Sequence, residues 1–355
     1  MIVSKYFSLA FDLVRLKLLA RRKFLTRFGG MSLLAFMAVM TLSLKGCVLN
    51  QPEAVKTFKV GMNSWPGYQV ALYAKEAGLF RKRGLDVEFV RYINQLDNIR
   101  ATMRGSQDAS FVPVSEVMQV DGTESKPVLV MVVDISAGSD GIAAGPDIKS
   151  VKDLKGKKVS AKLGTVSHLI LLEALQANQM KPEDVEIADV TNERAIKLLE
   201  KNEISAAALW EPAMSRVAKK VGGKVIHTTA DVDSLVVDTL TTSQNTVKDK
   251  NDELVKFISA WFDVMKELET NSDPVFASVA NQLKMPKETF IEDYKGLKKG
   301  DLAMNRRMFE GGRLQEVYKQ TDAILRSDPR HGRNIRQDVL IDANPVTKAT
   351  QNWRV

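Results

Sequence analysis

Residues 126–144 read KPVLVMVVDISAGSDGIAA, and the rest of the chain can be placed by working outward from them. Residues 128–133 (VLVMVV) form an unbroken apolar run closed by Asp134. A run of that kind suits a strand covered on both faces, as in a parallel sheet, so a sheet strand is expected to end at a carboxylate. Beyond it, Ser136, Ala137, Gly138, Ser139, Asp140 and Gly141 are small or turn-forming. Backbone of that composition bends sharply and lets a ligand approach closely. The stretch therefore reads as a strand that delivers polar groups to a cleft, followed by a crossing into a second lobe. The plainer alternative is a strand-to-loop turn in which Asp134 is a local cap.

The totals bound the answer. With 355 residues and 45% apolar content, the chain buries a large core and is expected to make two lobes. Its formal charge of +8 would suit a polyanion, but residues 1–46 hold eight Lys/Arg against one acid, Asp12. Subtracting that +7 leaves +1 for the remainder, which argues against nucleic acid as a partner. The single cysteine, Cys47, excludes internal disulfides and a Cys-rich zinc site, and His168, His227 and His331 are too scattered to suggest a metal cluster. No phosphate loop, nucleophile elbow or zinc signature is present, so no cofactor or metal is expected.

The N-terminus reads as an address. Basic residues from Arg15 to Arg27 precede an uncharged run over 28–44, the order of an export signal. That run ends in Leu44-Lys45-Gly46-Cys47, which resembles the lipobox of bacterial lipoproteins, with Lys45 an unusual occupant. Arg21-Arg22-Lys23-Phe24-Leu25 is similar to a twin-arginine signal. An uncleaved anchor is the alternative, since 17 uncharged residues are at the short end of a bilayer span.

After a linker, residues 58–62 (FKVGM) alternate as a strand, 63–68 hold a Pro-Gly turn, and 70–77 suit a helix closed by Gly78. Residues 85–90 (LDVEFV) form the next strand, and Leu96, Ile99 and Met103 fall at helical spacing. Residues 109–112 then lead into a loop at 113–116. The order returns about one hundred residues later: strand 158–161, loop 162–166, helix 167–177, then Asp184-Val185-Glu186-Ile187 echoing Asp86-Val87-Glu88-Phe89. Strand 204–209 follows, Trp210-Glu211-Pro212 stands where Pro113-Val114-Ser115 stood, and Lys224-Val225-Ile226 answers Lys126-Pro127-Val128. A doubled plan implies two similar α/β lobes with mainly parallel sheets. Residues 234–242 read as a second crossing back to the first lobe, and helices follow over 253–269, 274–283, 286–294 and 312–325. The basic run 216–224 is read as a solvated helix end, and the Pro-, Gly- and Arg-rich tail from Asp328 as loosely held.

These residues together resemble the periplasmic solute-binding proteins of ABC importers for nitrate, sulfonates, taurine and thiamine-pyrimidine precursors. The resemblance covers about residues 57–270. It is carried by Trp65-Pro66-Gly67-Tyr68, Ala77-Gly78-Leu79-Phe80, Gly84-Leu85-Asp86-Val87, Gly164-Thr165-Val166-Ser167-His168 and Trp210-Glu211-Pro212. It implies the type II binding-protein fold, two α/β lobes joined by two crossings. It also implies an exported, lipid-tethered monomer that is not an enzyme and that delivers a small solute to a permease and its ATPase. The division expected is 1–46 export signal, 47–56 lipid-anchored linker starting at Cys47, 57–138 with 239–327 as the first lobe and its C-terminal helices, 139–238 as the second lobe, and 328–355 as a tail.

In open α/β sheets ligands sit beyond the carboxyl ends of the strands, so the loops there nominate the site. From the first lobe and its crossing they are Trp65, Tyr68, Val114, Ser115, Asp134, Ser139 and Asp140; from the second, Thr165, Ser167, His168, Trp210 and Glu211. The amides of residues 165–168 are expected to open a helix that holds an anionic substituent. Each residue has a duller reading: the tryptophans as core, His168 as a satisfied core or surface histidine, Ser167 as a helix cap, Glu211 as the partner of a neighbouring base. Asp238, on the return crossing, is the weakest candidate. With three acids beside aromatics, and only Lys162 and His168 nearby as bases, the loops favour a small nitrogen-containing cation or zwitterion, with a sulfonate as runner-up. Two other functions compete: a sensor signalling through a separate partner, and an enzyme akin to thiamine-pyrimidine synthases, whose cysteine-rich motif is missing here.

Overall fold

The computed structural model describes residues 56–353 apart from 123, 329 and 331–333. The export segment, Cys47, His331 and nearly all of the 47–56 linker lie outside the described residues. In chain order the strands are β1 (Lys56–Met62), β2 (Leu85–Arg91), β3 (Ala109–Pro113), β4 (Pro127–Ser136), β5 (Asp140–Ala144), β6 (Lys158–Ser160), β7 (Glu186–Ala188), β8 (Ala206–Trp210), β9 (Lys224–Thr228), β10 (Val237–Ser243), β11 (Leu297–Lys299) and β12 (Leu340–Ile341). They form two sheets, ordered β11-β4-β10-β3-β1-β2 with β12 beside β4, and β7-β6-β8-β5-β9.

The two orders are one plan used twice. In the first sheet β1 lies parallel to β2 and β3, and β10 runs antiparallel to both β3 and β4. In the second, β6 lies parallel to β7 and β8, and β5 runs antiparallel to both β8 and β9. The strand that arrives from the other lobe enters each sheet at the equivalent place and against the prevailing direction, so both sheets are mixed. The internal repeat in the sequence thus corresponds to matching topology, with β4 and β9 as counterparts.

All ten residues of β4 are buried, as its apolar run demands. Asp134 does not end this strand. The ladder with β10 continues through Ile135, so the carboxylate stands inside the sheet. The helix Pro66–Glu76 starts at a proline that fixes the first turn, and Gly78, in the left-handed region at φ 71°, follows its end. The long helix Asn251–Thr270 buries Leu254, Phe257, Ile258, Trp261 and Met265 at the spacing read from the sequence. Phe257 stacks on Phe80 at 5.0 Å, and Phe111 meets Trp261 at 5.7 Å. Burying side chains of this size stabilises by about 2–3 kcal/mol each.

The crossings, residues 137–139 and 229–236, lie side by side. The Ser136 amide donates to the Val236 carbonyl at 3.0 Å, Ser136 Oγ and Thr229 Oγ1 are 2.8 Å apart, and the Gly138 amide donates to Thr229 Oγ1 at 2.8 Å. A third link comes from the C-terminal region. The helix Arg313–Arg326 sets Leu314 and Val317 in the first core and Leu325 in the second.

The tail expected to be loose from Asp328 is instead packed over 334–353. The Arg336 amide donates to the Met118 carbonyl, and Val346 and Ala349 are buried in the helix Asn344–Asn352. Trp353 Nε1 donates to Asp263 Oδ1 at 2.8 Å. The arginines and prolines that suggested looseness are placed to be satisfied: Arg336 pairs with Asp338, and Pro345 opens the last helix. The basic run 216–224 is a largely solvated helix end, with Lys220 paired to Glu200 at 2.8 Å.

Candidate functional site between the lobes

The site is built on the carboxyl ends of β1, β3 and β4 and on the crossings. After β1, Asn63 Oδ1 accepts the Trp65 amide, turning the chain into the helix Pro66–Glu76 and aiming two aromatic side chains at β4 and β10. Trp65 Nε1 donates to both oxygens of Asp134, at 3.1 and 3.3 Å. The Tyr68 hydroxyl donates to Asp238 Oδ1, while its ring stacks on Phe111 at 5.2 Å. Gly67 lets the carboxylate in, since a Cβ there would lie 1.9 Å from Asp134 Oδ2.

Asp134 and Asp238 face each other across the β4–β10 ladder, and both are buried. Two carboxylates so placed do not both ionise. Burial pushes Asp134 up to about 7, with the Trp65 bond opposing and the Asp140 charge adding to the rise. Burial and then the neighbouring Asp134 charge also raise Asp238 well above the ordinary aspartate range, so the pair holds a proton between its two carboxylates. The Tyr68 phenol is pushed well above its ordinary range by burial and then by Asp238 and Asp134. Asp140 opens β5 and is 3% exposed. Burial pushes it up to about 7 as well, opposed by Ser136 and reinforced by Asp238 and Glu211. Its Oδ2 has no hydrogen-bond partner, and neither do the buried hydroxyls of Ser115 and Ser139. Asp238, the weakest candidate from sequence, is therefore central.

The second lobe contributes differently. Trp210 ends β8 opposite Asp140 and is 36% exposed, which sets it at a rim rather than in a core. Glu211 accepts from the Ser215 amide at 3.1 Å and from the Ser215 hydroxyl, so it closes the first turn of the helix Ala213–Lys220 instead of pairing with a base. Its own amide donates to the Ser139 carbonyl at 2.8 Å. Thr165 precedes the helix Val166–Ala177 but turns its hydroxyl to the Lys162 carbonyl, and Ser167 is buried in the first turn without being its cap. Lys162 is committed to Asp189 at 2.8 Å.

Two expectations need correction. His168 is buried against the C-terminal region, its Nε2 3.0 Å from Asp328 Oδ2, so the histidine holds the lobe to that region rather than facing a solute. Burial lowers its pKa against the pull of Asp328. The start of the helix Val166–Ala177 is also not left for an anionic substituent, because the Val166 amide points at Glu116 Oε1, 3.4 Å away. Val114 is a buried residue of the first-lobe core.

Glu116 was missed by sequence reasoning, although it sits one residue past Ser115 at the same strand end. Glu292 and Asp293 were also missed. With Ser139, Glu211 and Lys295 they line a cavity of about 410 Å³ next to the crossing. Their helical context, Lys287–Lys295, carried no sign that it would return to the crossing.

Residues 65–267 match the family described as NMT1/THI5 like. The chain belongs to that family. This NMT1/THI5-like chain is 24% identical over 227 residues to the taurine-binding periplasmic protein of Escherichia coli, covering 62% of this chain and 70% of the relative. Its fold matches the periplasmic aliphatic sulphonate binding protein of Escherichia coli with a TM-score of 0.64 at 16% identity, over 84% of this chain and 98% of that one. It also matches a desulfurization enzyme with a TM-score of 0.61 at 13% identity, over 84% of this chain and all of that one. The two-lobed type II binding-protein fold is thus shown, and a fold shared with an enzyme leaves function to the site.

Proposed function

We propose that this protein is the substrate-binding component of an ABC importer, a monomer that closes its two lobes on a small nitrogen- or sulfur-containing solute and presents it to a permease and its ATPase. The observation that carries this reading is the convergence of polar and aromatic side chains from both lobes, most of them buried, on a pair of short crossings. Trp65, Tyr68, Ser115 and Asp134 supply the first wall, Ser139 comes from the crossing, and Asp140, Trp210 and Glu211 supply the second. A taurine-binding relative and a sulphonate-binding structural neighbour support the same class. The protein acts by capture alone: in this reading its carboxylates are engaged by Trp65 and Tyr68 as binding groups, not poised against a bond to be broken.

Hinges concentrate backbone change in a few residues, so 137–139 and 229–236 carry the closure. Scattering in the presence of saturating taurine, propane-1-sulfonate or nitrate should show a more compact particle with whichever compound binds. An unchanged radius with a compound that calorimetry shows to be bound would overturn the closing mechanism. The export segment and Leu44-Lys45-Gly46-Cys47 support a mature chain that begins at Cys47 and is tethered there by lipid to the periplasmic side of a membrane. Mass spectrometry of the native protein reads this directly, and a chain starting at Met1 would remove the tether.

A further inference from the structure

The carboxylates at the lobe junction form a connected series. Asp293 feels Glu211, Asp140 feels Asp238 and Glu211, Asp134 feels Asp140, and Asp238 feels Asp134 and Glu116. Among the described residues no lysine or arginine is paired with Asp134, Asp140 or Asp238. Lys299, opposite Asp134 in the β4–β11 ladder, lines a separate groove with Lys298 and Arg307, and Lys295 in the cavity is paired with Glu292 at 3.3 Å. Burying acids without cations is costly. A fold that does so beside a cavity has positive charge to receive there.

Two atoms mark where. Asp140 Oδ2 and Ser139 Oγ are adjacent in sequence, belong to residues 3% and 2% exposed, and lack hydrogen-bond partners. Ser139 lines the 410 Å³ cavity, facing Gly296, where a Cβ would come within 2.3 Å of its hydroxyl oxygen. Glu211 and Asp293 flank the same cavity. Asp134 and Asp238 are already engaged by Trp65 and Tyr68; Asp140 follows Ser139 in the chain and, although it does not itself line the cavity, keeps an oxygen without a partner. The described acids are not grouped as a metal cage, so the charge to be received is an organic one.

We propose that this cavity opens onto a cation subsite, and that the solute carries an ammonium or amidinium group whose N–H groups donate to Ser139 Oγ at the cavity wall and to Asp140 Oδ2 beyond that wall. The proposal rests on the solute-capture reading above and specifies its ligand: an amine-bearing compound binds, with or without a second, acidic end, and a bare anion does not. Trp210, at the rim opposite Asp140, offers an aromatic face to the same charge.

Calorimetry on the full exported chain at pH 8 tests this with five probes: propylamine, benzamidine, taurine, propane-1-sulfonate and nitrate. At least one amine or amidine should bind, and both anions without an amine should be silent. Asp140→Asn should weaken the bound amine by about 10- to 100-fold and Ser139→Ala by about 3- to 10-fold, the range for losing charged and neutral hydrogen-bond partners. Thermal unfolding of both variants establishes that they are folded. Binding of propane-1-sulfonate or nitrate with no amine bound would overturn the charge assignment and leave solute capture standing. Silence from all five would count against both. Amine binding unchanged in both folded variants would overturn the location of the subsite.

Discussion

The two lobes share one strand order and carry their strand-end residues in opposite ways. In the first, Trp65, Tyr68, Asp134 and Asp238 are buried and linked across two strands and a helix start. In the second, Trp210 is partly exposed, Glu211 serves its own helix, and Thr165 serves its own loop. A side chain held by partners on other elements is fixed before any ligand arrives, whereas one held only within its own turn moves with its lobe. The first lobe is therefore the preorganised half of the site and the second its cover.

The strongest way to break this contrast is to add one methyl group to each half. Gly67→Ala drives a Cβ to within 1.9 Å of Asp134 Oδ2, and the buried carboxylate, held by Trp65, has nowhere to go. Overpacking of this kind costs about 1–3 kcal/mol, and here it should also abolish solute binding. Gly141→Ala, on β5, meets the His227 carbonyl oxygen at 2.2 Å and should cost a similar amount by parting β5 from β9. Denaturant unfolding with calorimetry reads both effects. Native affinity in a stably folded Gly67→Ala protein would show that Asp134 is not pinned.

The next effect is on pH. Asp134 and Asp140 have folded-state pKa values of about 7, above the ordinary aspartate value of 3.8. Between those pH values the folded state binds more protons than the unfolded one, so stability is greatest at the acidic end and is lost as pH rises through about 7. Each unit of pKa difference corresponds to about 1.4 kcal/mol, and after relaxation a loss of about 1–3 kcal/mol is expected between pH 5 and 8 without ligand. The groups facing Asp140 are Ser136, Asp238 and Glu211, together with Asp134, so the slope belongs to the cluster. Asp140→Asn should flatten the profile and raise stability at pH 8 while weakening amines. A flat profile in the unmodified protein would place these acids in contact with solvent.

The smallest difference sharpens the same comparison. Trp65→Phe removes the N–H that both Asp134 oxygens accept and should cost about 1–2 kcal/mol of stability. Trp210→Phe should change stability by less than about 0.5 kcal/mol, because the residue is at the surface. Equal losses in the two variants would erase the distinction between preorganised wall and cover.

Local reading located much of this site. Trp65-Pro66-Gly67-Tyr68, Asp134 and Ser139-Asp140 stand out because turn formers next to aromatics and acids at the end of an apolar run are features of a few consecutive residues. What escaped depended on pairing between distant segments. Asp238 looked structural until β10 ran antiparallel to β4 and set it opposite Asp134, 104 positions away in the chain. Glu116 and Asp293 lie on helices whose own periodicity says nothing about which lobe they will meet. His168 seemed to belong to the cleft because its helix opens there, but the C-terminal region supplies Asp328 from behind.

By itself, the sequence determined the class of the protein: alternating strands and helices, repeated at an offset near one hundred and interrupted by two small-residue crossings. Those properties are periodic or local, and short-range sterics and hydrophobic patterning suffice to read them. Only the tertiary structure decided which carboxylates share a proton, which serine and aspartate oxygens are left without partners, and that among the described residues no lysine or arginine is paired with the Asp134, Asp140 and Asp238 group. Protonation and hydrogen-bond satisfaction depend on what surrounds a group in three dimensions, and around Asp134 and Asp238 the partners lie 69 to 170 residues away in the chain.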